Sequence, residues 1–514
     1  MLDEDLKQQV KEYFKNLKSD VVVRLYPGKH ESREELVSFL TDLVSLSDRL
    51  SLTQPNVEKS GVYFDVYNGK TAVAFDGIPG GHEFSSLVLA ILQAGGSPLR
   101  LDASLVEAIQ QIQDDLQFET YVALDCHNCP EVVQTLNAFS LVNPKIKNVM
   151  IDGALFPDRV NEKKIQGVPT VYLNGERFLS GQADTAKIFD KLLESVKLNL
   201  APKETKEDST VYDVTVIGGG PSGVASAVYT ARKGLKVLLI AERMGGQVKD
   251  TVGIENIISV PYTTGQELSS TLAKQLESNQ VAKRENVRVT MIEPGVIKKI
   301  HLNTTEVIST KTIIISTGAK WRELNVPGER ENIGKGVAYC PHCDGPFFKN
   351  KDVVVVGGGN SGVEAALDLS GIVKSVTLIE FGDQLKADKV LVEKMEQTKN
   401  IRSVVSAETK EILSSGDKVT GLIYQDRKDG RQISLETDAV FVQIGLVPNS
   451  GFVKDLVQTN RFGEILVDEK CRTSVDGIFA CGDVTQTPYK QIVIAMGEGA
   501  KAAISAFEHL LHAA

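Results

Sequence analysis

The sequence predicts an α/β chain in two halves, and three observations carry that prediction. A mixed order of strands and helices runs twice before residue 197. A strand–glycine loop–helix unit runs twice after residue 210. Between them lies the polar stretch 197–210 (KLNLAPKETKEDST), which carries a proline and reads as an interdomain linker.

In the first half, residues 21–43 (VVVRLYPGKHESREELVSFLTDL) and 120–140 (TYVALDCHNCPEVVQTLNAFS) each give an apolar run, a short turn and a segment of helical period. Each continues into an extended run and an apolar strand pair, over 61–80 and 148–175, and closes with a helix. This β-α-β-α-β-β-α order is the thioredoxin-like pattern. The half therefore reads as a diverged internal repeat, with one copy in 1–100 and the other in 101–196. The copies differ in chemistry. The second has Cys126-His127-Asn128-Cys129 where the first has Tyr26-Pro27-Gly28-Lys29-His30, so only the second can do thiol chemistry. Val168-Pro169-Thr170 precedes an apolar strand of the second copy. In thioredoxin-like folds a cis proline at this place faces the CxxC pair; an ordinary trans proline entering an edge strand is the alternative.

In the second half, YDVTVIGGGPSG (212–223) and DVVVVGGGNSG (352–362) each place a glycine loop between an apolar strand and a helix. Gly218, Gly220 and Gly223, like Gly357, Gly359 and Gly362, permit a tight turn, close backbone approach to a pyrophosphate and close helix–strand packing. The helix start adds free N–H groups and partial positive charge. Glu242 ends the next strand after the first loop, and Glu380 ends the one after the second, each placed to accept hydrogen bonds from a ribose. Two Rossmann-like units imply two dinucleotides. The segment TSVDGIFACGDV (473–484) ends in Gly482-Asp483, a turn that in flavin reductases sets the Asp against the ribityl or phosphate region of FAD. Its place near the C-terminus implies a split FAD domain, 211–325 and 446–514, with an NADH domain, 326–445, inserted. The first loop is then the FAD site and the second the NADH site. A carboxylate at Glu380 favours a free 2′-hydroxyl over a 2′-phosphate, and Lys386 and Lys389 are the nearest basic residues that could weaken that preference.

The six cysteines include a second CxxC pair, Cys340-Pro341-His342-Cys343, followed by Asp344 and lying just before the second loop. At a helix start the first Cys of such a pair has a lowered pKa, which supplies the thiolate that disulfide exchange needs. His127 and His342 could relay protons or stand as solvated loop residues. A single zinc site built from both pairs is disfavoured, because the pairs lie in separate domains; no metal is expected. Cys471 and Cys481 sit singly in strand-like contexts and read as buried small hydrophobes. The net charge of −10 and the lack of a Lys/Arg block argue against nucleic acid. No apolar run is long enough to span a membrane, the charged first residues do not read as a signal peptide, and sparse cysteines in CxxC pairs point to the cytoplasm.

Taken together, CHNC (126–129), GVPT (167–170), GGGPSG (218–223), GGQ (245–247), GIEN (253–256), STGA (316–319), CPHCD (340–344), GGGNSG (357–362), IE (379–380) and GIFACGD (477–483) resemble the F component of alkyl hydroperoxide reductase, the flavoprotein reductases of bacterial peroxiredoxins. The resemblance covers nearly the whole chain. It implies tandem thioredoxin-like folds joined to a part similar to low-molecular-weight thioredoxin reductase. Cys481 departs from the family's pattern, where Ala is expected. For FAD the resemblance implies Gly218, Gly220, Pro221, Ser222, Gly223, Glu242, Gly246, Gln247, Asn256, Thr317, Gly318, Gly482 and Asp483, with Gln491 and Ile492 as further candidates. For NADH it implies Gly357, Gly359, Asn360, Ser361, Gly362 and Glu380.

It also implies a relay. Electrons pass from NADH through the flavin to Cys340–Cys343, with Cys343 facing the flavin and Cys340 exchanging. They then pass to Cys126–Cys129, with Cys126 attacking the disulfide of a two-cysteine peroxiredoxin. Asp344 matches the acid–base residue beside the second pair, and Glu83 an acid near the first, although Glu83 also reads as a helix-start carboxylate. Family members are homodimers. A nicotinamide and a CxxC pair cannot share one flavin face, so the NADH domain is expected to rotate between two states. A general thioredoxin-type disulfide reductase with a fused carrier is the alternative reading.

Overall fold

The computed structural model describes residues 4–126, 128–165, 167–196, 210–251, 253–416 and 418–512, and the backbone only at His342 and Cys343. His127 and, apart from Thr210, the expected linker 197–210 lie outside the described residues.

The first half is one sheet. Its strands are β1 (Val21–Leu25), β2 (Leu50–Thr53), β3 (Tyr63–Tyr67), β4 (Ala72–Asp76), β5 (Leu116–Val122), β6 (Ile146–Asp152), β7 (Thr170–Leu173) and β8 (Glu176–Ser180). They lie in the order β2-β1-β3-β4-β6-β5-β7-β8. The two copies fuse where β4 pairs with β6 in parallel, Phe75 opposite Met150. Both residues are fully buried, and the stacked rings of Phe64 and Phe75, 5.2 Å apart, fill the layer beneath. Continuing the sheet across the copies removes two edges and buries an apolar seam that neither copy could cover alone. The copies are unequal in one element: residues 54–62 form no helix, whereas the second copy has Pro157–Glu162 at the corresponding place. The first-copy segment is short and carries Pro55 and Gly61, which break a helical run.

The second half begins with parallel strands Val211–Ile217, Val237–Ala241 and Ala282–Glu285. Val307–Ile315 lies on the other side of the first strand. The late strand Ile478–Ala480 returns to pair with Ile313–Ile315. A second parallel sheet, built on Asp352–Val356, Ser375–Ile379, Ile401–Val404 and Ala439–Val442, therefore sits as an insertion in the first unit. The chain crosses between the units twice, and the crossings pair as antiparallel strands, Ala319–Trp321 with Leu446–Pro448. The strand Asp352–Val356 is a continuous Val run because both its faces are covered: Val353 and Val355 pack on the helix Asn360–Ser370, and Val354 and Val356 on the antiparallel strands Ala407–Ser415 and Lys418–Asp426.

The first half rests on the unit that carries the first glycine loop. Arg284 Nε donates to Asp102 Oδ2 at 2.8 Å, Thr304 Oγ1 to Ser104 Oγ at 2.8 Å, and Asn303 Nδ2 to Asp190 Oδ1 at 2.7 Å. Leu105, Ile109 and Leu192 belong to the same apolar cluster as Val287, Val289 and Leu302.

Candidate functional site

The first dithiol sits where β5 turns into the helix Cys129–Val142, which Pro130 opens at its first turn. Cys126 and Cys129 form a disulfide with Cα atoms 5.5 Å apart. The two sulfurs are not equivalent: Cys129 is fully buried and Cys126 is half-buried. Val168–Pro169 is a cis peptide bond, and Cys126 Sγ lies 3.8 Å from the Val168 carbonyl oxygen. The proline loop thus faces the outer sulfur.

Glu83 reaches this site from the other copy. The turn Gly81–Glu83 packs on the loop that leads to Cys126, His82 N–H donating to the Leu124 carbonyl at 2.9 Å. Gly81 has φ of +52°, and a Cβ there would strike the Leu124 backbone, so the approach requires glycine. Glu83 is fully buried, and neither carboxylate oxygen has a hydrogen-bond partner. Burial pushes its pKa up to about 7, opposed weakly by nearby Ser86.

Cys340 is disulfide-bonded and precedes the short helix Pro341–Asp344; the Cys343 side chain lies outside the described atoms. Asp344 N–H donates to the Cys340 carbonyl at 3.0 Å, and burial pushes the Asp344 pKa up to about 6. The Phe347 ring, just beyond, comes against Gly253 of the first-loop unit: a Cβ there would lie 3.3 Å from Phe347 Cζ. Cys471 and Cys481 are both buried; burial pushes the Cys471 thiol up to about 11 and the Cys481 thiol up as well, which disfavours the thiolate at both.

The two glycine loops have nearly the same geometry. Gly218 has φ of +124° and Gly357 of +125°. A Cβ on Gly223 would collide with the Gly218 carbonyl, and one on Gly362 with the Gly357 carbonyl. By contrast, a Cβ on Gly359 would meet nothing, and one on Gly220 would only touch the Gly245 carbonyl at 3.9 Å. The packed glycines fix the turn, and the middle one leaves open backbone at the helix start. This is the cradle a pyrophosphate requires, so the residues present fit a dinucleotide at each loop.

Around the first loop, the Gly245–Gly246 turn packs against Gly220, and Gln247 bridges the Ala319 carbonyl and the Trp321 indole N–H. Asn256 Nδ2 donates to Gln491 Oε1 at 3.3 Å, beside Ile492 at the start of the last helix. Thr317 and Gly318 are tied to the second crossing: Thr317 Oγ1 donates to the Asn449 carbonyl at 2.8 Å, and Asn449 N–H to the Gly318 carbonyl at 2.9 Å. Gly482 approaches Ser222 of the loop helix, and its N–H donates to Glu498 Oε2 at 2.9 Å. Burial raises the pKa of adjacent Asp483, with Lys490 opposing. Glu242 pairs with Arg288 at 2.8 Å. Around the second loop, Glu380 accepts from Gly358 N–H at 2.6 Å and Gly382 N–H at 2.7 Å. Asn360 is engaged with Asp388, at 3.0 and 2.8 Å, and Ser361 is exposed. Asn449, Glu498 and Arg288 were not singled out from sequence. Each is an isolated polar residue outside any motif, and its role is visible only through the tertiary neighbour it holds.

A family model described as pyridine nucleotide-disulphide oxidoreductase matches residues 212–499, and one described as thioredoxin domain matches 117–194. The F component of alkyl hydroperoxide reductase from Xanthomonas campestris pv. phaseoli is 48% identical over 99% of this chain and 97% of that one. The chain belongs to the F-component family of alkyl hydroperoxide reductase. The Escherichia coli (strain K12) member is 44% identical over 99% of both chains, and a Bacillus subtilis (strain 168) relative at 44%, again over 99% of both, is named NADH dehydrogenase. The thioredoxin reductase of Streptococcus pyogenes MGAS5005 matches 59% of this chain and 99% of its own, at 38% identity and a TM-score of 0.57. As a family member the chain is a flavoprotein disulfide oxidoreductase that takes a flavin and a pyridine nucleotide. No helix among the described residues is long and apolar enough to cross a membrane.

Proposed function

We propose that this chain is an FAD-dependent NADH:peroxiredoxin oxidoreductase of the cytoplasm, acting as a homodimer. FAD is held by residues 211–325 and 446–514 and NADH by 326–445. Bound FAD supplies two-electron acceptance from a nicotinamide and two-electron donation to a disulfide. The Gly218–Gly223 loop and Glu242 hold the flavin nucleotide, and the Gly357–Gly362 loop and Glu380 hold the reductant. The carboxylate at Glu380 and the relative named NADH dehydrogenase both support NADH.

The chain's own steps are disulfide exchanges. The Cys340 thiolate attacks the Cys126–Cys129 bond, forming a mixed disulfide and releasing one thiolate; Cys343 attacks Cys340, which frees the second. Cys340–Cys343 is oxidised, Cys126–Cys129 is reduced, and the two protons follow the electrons. Asp344, poised near 6, and Glu83, poised near 7, are placed to hold those protons beside their dithiols. Cys126 then attacks the disulfide of a two-cysteine peroxiredoxin, and Cys129 resolves the mixed disulfide.

The observation that carries this reading is the asymmetry of the first dithiol: Cys126 is half-buried against the cis-proline loop, and Cys129 is fully buried. Only Cys126 can meet an outside sulfur. The test is NADH consumption with peroxide and a purified two-cysteine peroxiredoxin, repeated with NADPH. A double variant, Cys126→Ser with Cys129→Ser, should keep NADH oxidation by artificial acceptors and lose peroxide turnover. Peroxide turnover that survives in the variant overturns the relay.

A further inference from the structure

Glu380 ends the second strand of the nucleotide-binding unit, and Phe381 follows it. The Phe381 ring is 55% exposed and belongs to none of the apolar clusters among the described residues. It is nevertheless held in place. The Arg427 guanidinium carbon lies 3.8 Å from the ring centroid, and Arg427 Nη1 donates to the Phe381 carbonyl at 2.9 Å. The Arg427 backbone N–H donates to the Ser406 carbonyl at 2.7 Å, and Ser406 N–H donates to the Gly382 carbonyl at 2.6 Å. Three separate segments, at 380–382, at 406 and at 427, are thus laced together to present one exposed aromatic ring.

We infer that Phe381, backed by Arg427, is the platform on which the adenine of the reductant stacks. This rests on the reading of the second loop as the NADH site. The direction of a dinucleotide along the unit supplies the reason. The pyrophosphate lies at Gly357–Gly362 and the ribose at Glu380, so the base, attached at the far side of the ribose, falls next along the chain. A flat π-face suits a purine, and the guanidinium fixes the ring from behind. The Glu380 carboxylate is itself pinned by Gly358 and Gly382, so ribose and base meet a surface organised before binding.

The test is calorimetric titration of the FAD-loaded enzyme with 5′-AMP, NAD⁺ and nicotinamide mononucleotide, with FAD content as the folding control. Phe381→Ala should weaken 5′-AMP and NAD⁺ on the order of tenfold, as loss of a base–aromatic stack does. It should leave nicotinamide mononucleotide unchanged. Phe381→Trp should restore affinity, and Arg427→Gln should weaken the same two ligands by less. Wild-type affinity of Phe381→Ala for 5′-AMP overturns the platform. Glu380→Ala separates the two readings. If it weakens 5′-AMP while Phe381→Ala does not, only the platform is wrong. If neither variant changes 5′-AMP binding, the assignment of the second loop fails with it.

Discussion

The molecule contains two internal duplications, and they have aged differently. In the thioredoxin-like pair, one copy keeps a dithiol and the other has lost it. In the nucleotide-binding pair, the two glycine loops agree within one degree at their first glycine, φ of +124° and +125°. The contrast has a physical cause. The first copy packs its apolar core without a CxxC pair, so the chemistry is separable from the scaffold. In the first copy the vacated turn is filled: Arg33 Nη1 donates to the Tyr26 and Gly61 carbonyls at 2.7 and 2.6 Å. The glycine loops have no such freedom at their first and last glycines, because the packing there excludes a Cβ on Gly218, Gly223, Gly357 or Gly362. What distinguishes those loops lies outside them, in Glu242 on Arg288 against Glu380 on two backbone N–H groups, and in the returning strand Ile478–Ala480 that joins only the first.

The largest effect should come from breaking the loops. Gly223→Ala should abolish flavin retention, read from flavin absorbance after gel filtration. Gly362→Ala should keep the flavin and lose its reduction by NADH in stopped flow. If the two variants behave alike, the assignment of one loop to each nucleotide is wrong.

Glu83 probes the pair of thioredoxin-like copies, because it lies in a turn of one that packs on the other. Its pKa rises from 4.5 to about 7 on folding. The folded state then binds the proton more tightly, so stability is greatest below the unfolded value and falls as pH rises through about 7. Glu83→Gln should remove that decline and protect the sheet at pH 8 by up to about 3 kcal/mol. Hydrogen exchange of residues 63–152 in the full chain, at pH 4.5 and pH 8, measures it; an unchanged pH dependence would show that Glu83 is not the group responsible.

Glu380→Ala sharpens the contrast between the loops. Losing a charged acceptor costs about 1.5–3 kcal/mol, so the KM for NADH should rise tenfold or more while NADPH gains relative to it. The corresponding Glu242→Ala should lower flavin affinity and leave the NADH to NADPH ratio untouched. The smallest effect belongs to the silent copy. Arg33→Ala leaves two carbonyls to water and should destabilise the first half by about 1 kcal/mol, without altering disulfide transfer. A change in transfer rate would mean that the vacated turn still takes part.

Much of this was legible because it rests on local rules. Gly218, Gly223, Gly357 and Gly362 are required by backbone sterics, and the CxxC pairs by the reach of one helical turn. A strand returning from residues past 473 and the buried state of Cys471 and Cys481 were readable from the sequence, while the choice between cis and trans at Pro169, left open there, was decided by the structure. The β-α-β-α-β-β-α order expected of both copies lacks its second helix in the first, where residues 54–62 carry Pro55 and Gly61.

By itself, then, the sequence determined the α/β class, the two duplications, and which residue types could hold a nucleotide or exchange a disulfide, since each depends on neighbours a few residues away. Only the tertiary structure decided that the two copies share one sheet through Phe75 and Met150. It alone placed buried Glu83 in a turn that packs on the other copy's loop to Cys126, and set Arg288 on Glu242, Asn449 on Thr317 and Arg427 over Phe381. Those outcomes depend on burial and on partners tens to hundreds of residues apart, and desolvation and long-range packing leave no periodic mark along a chain.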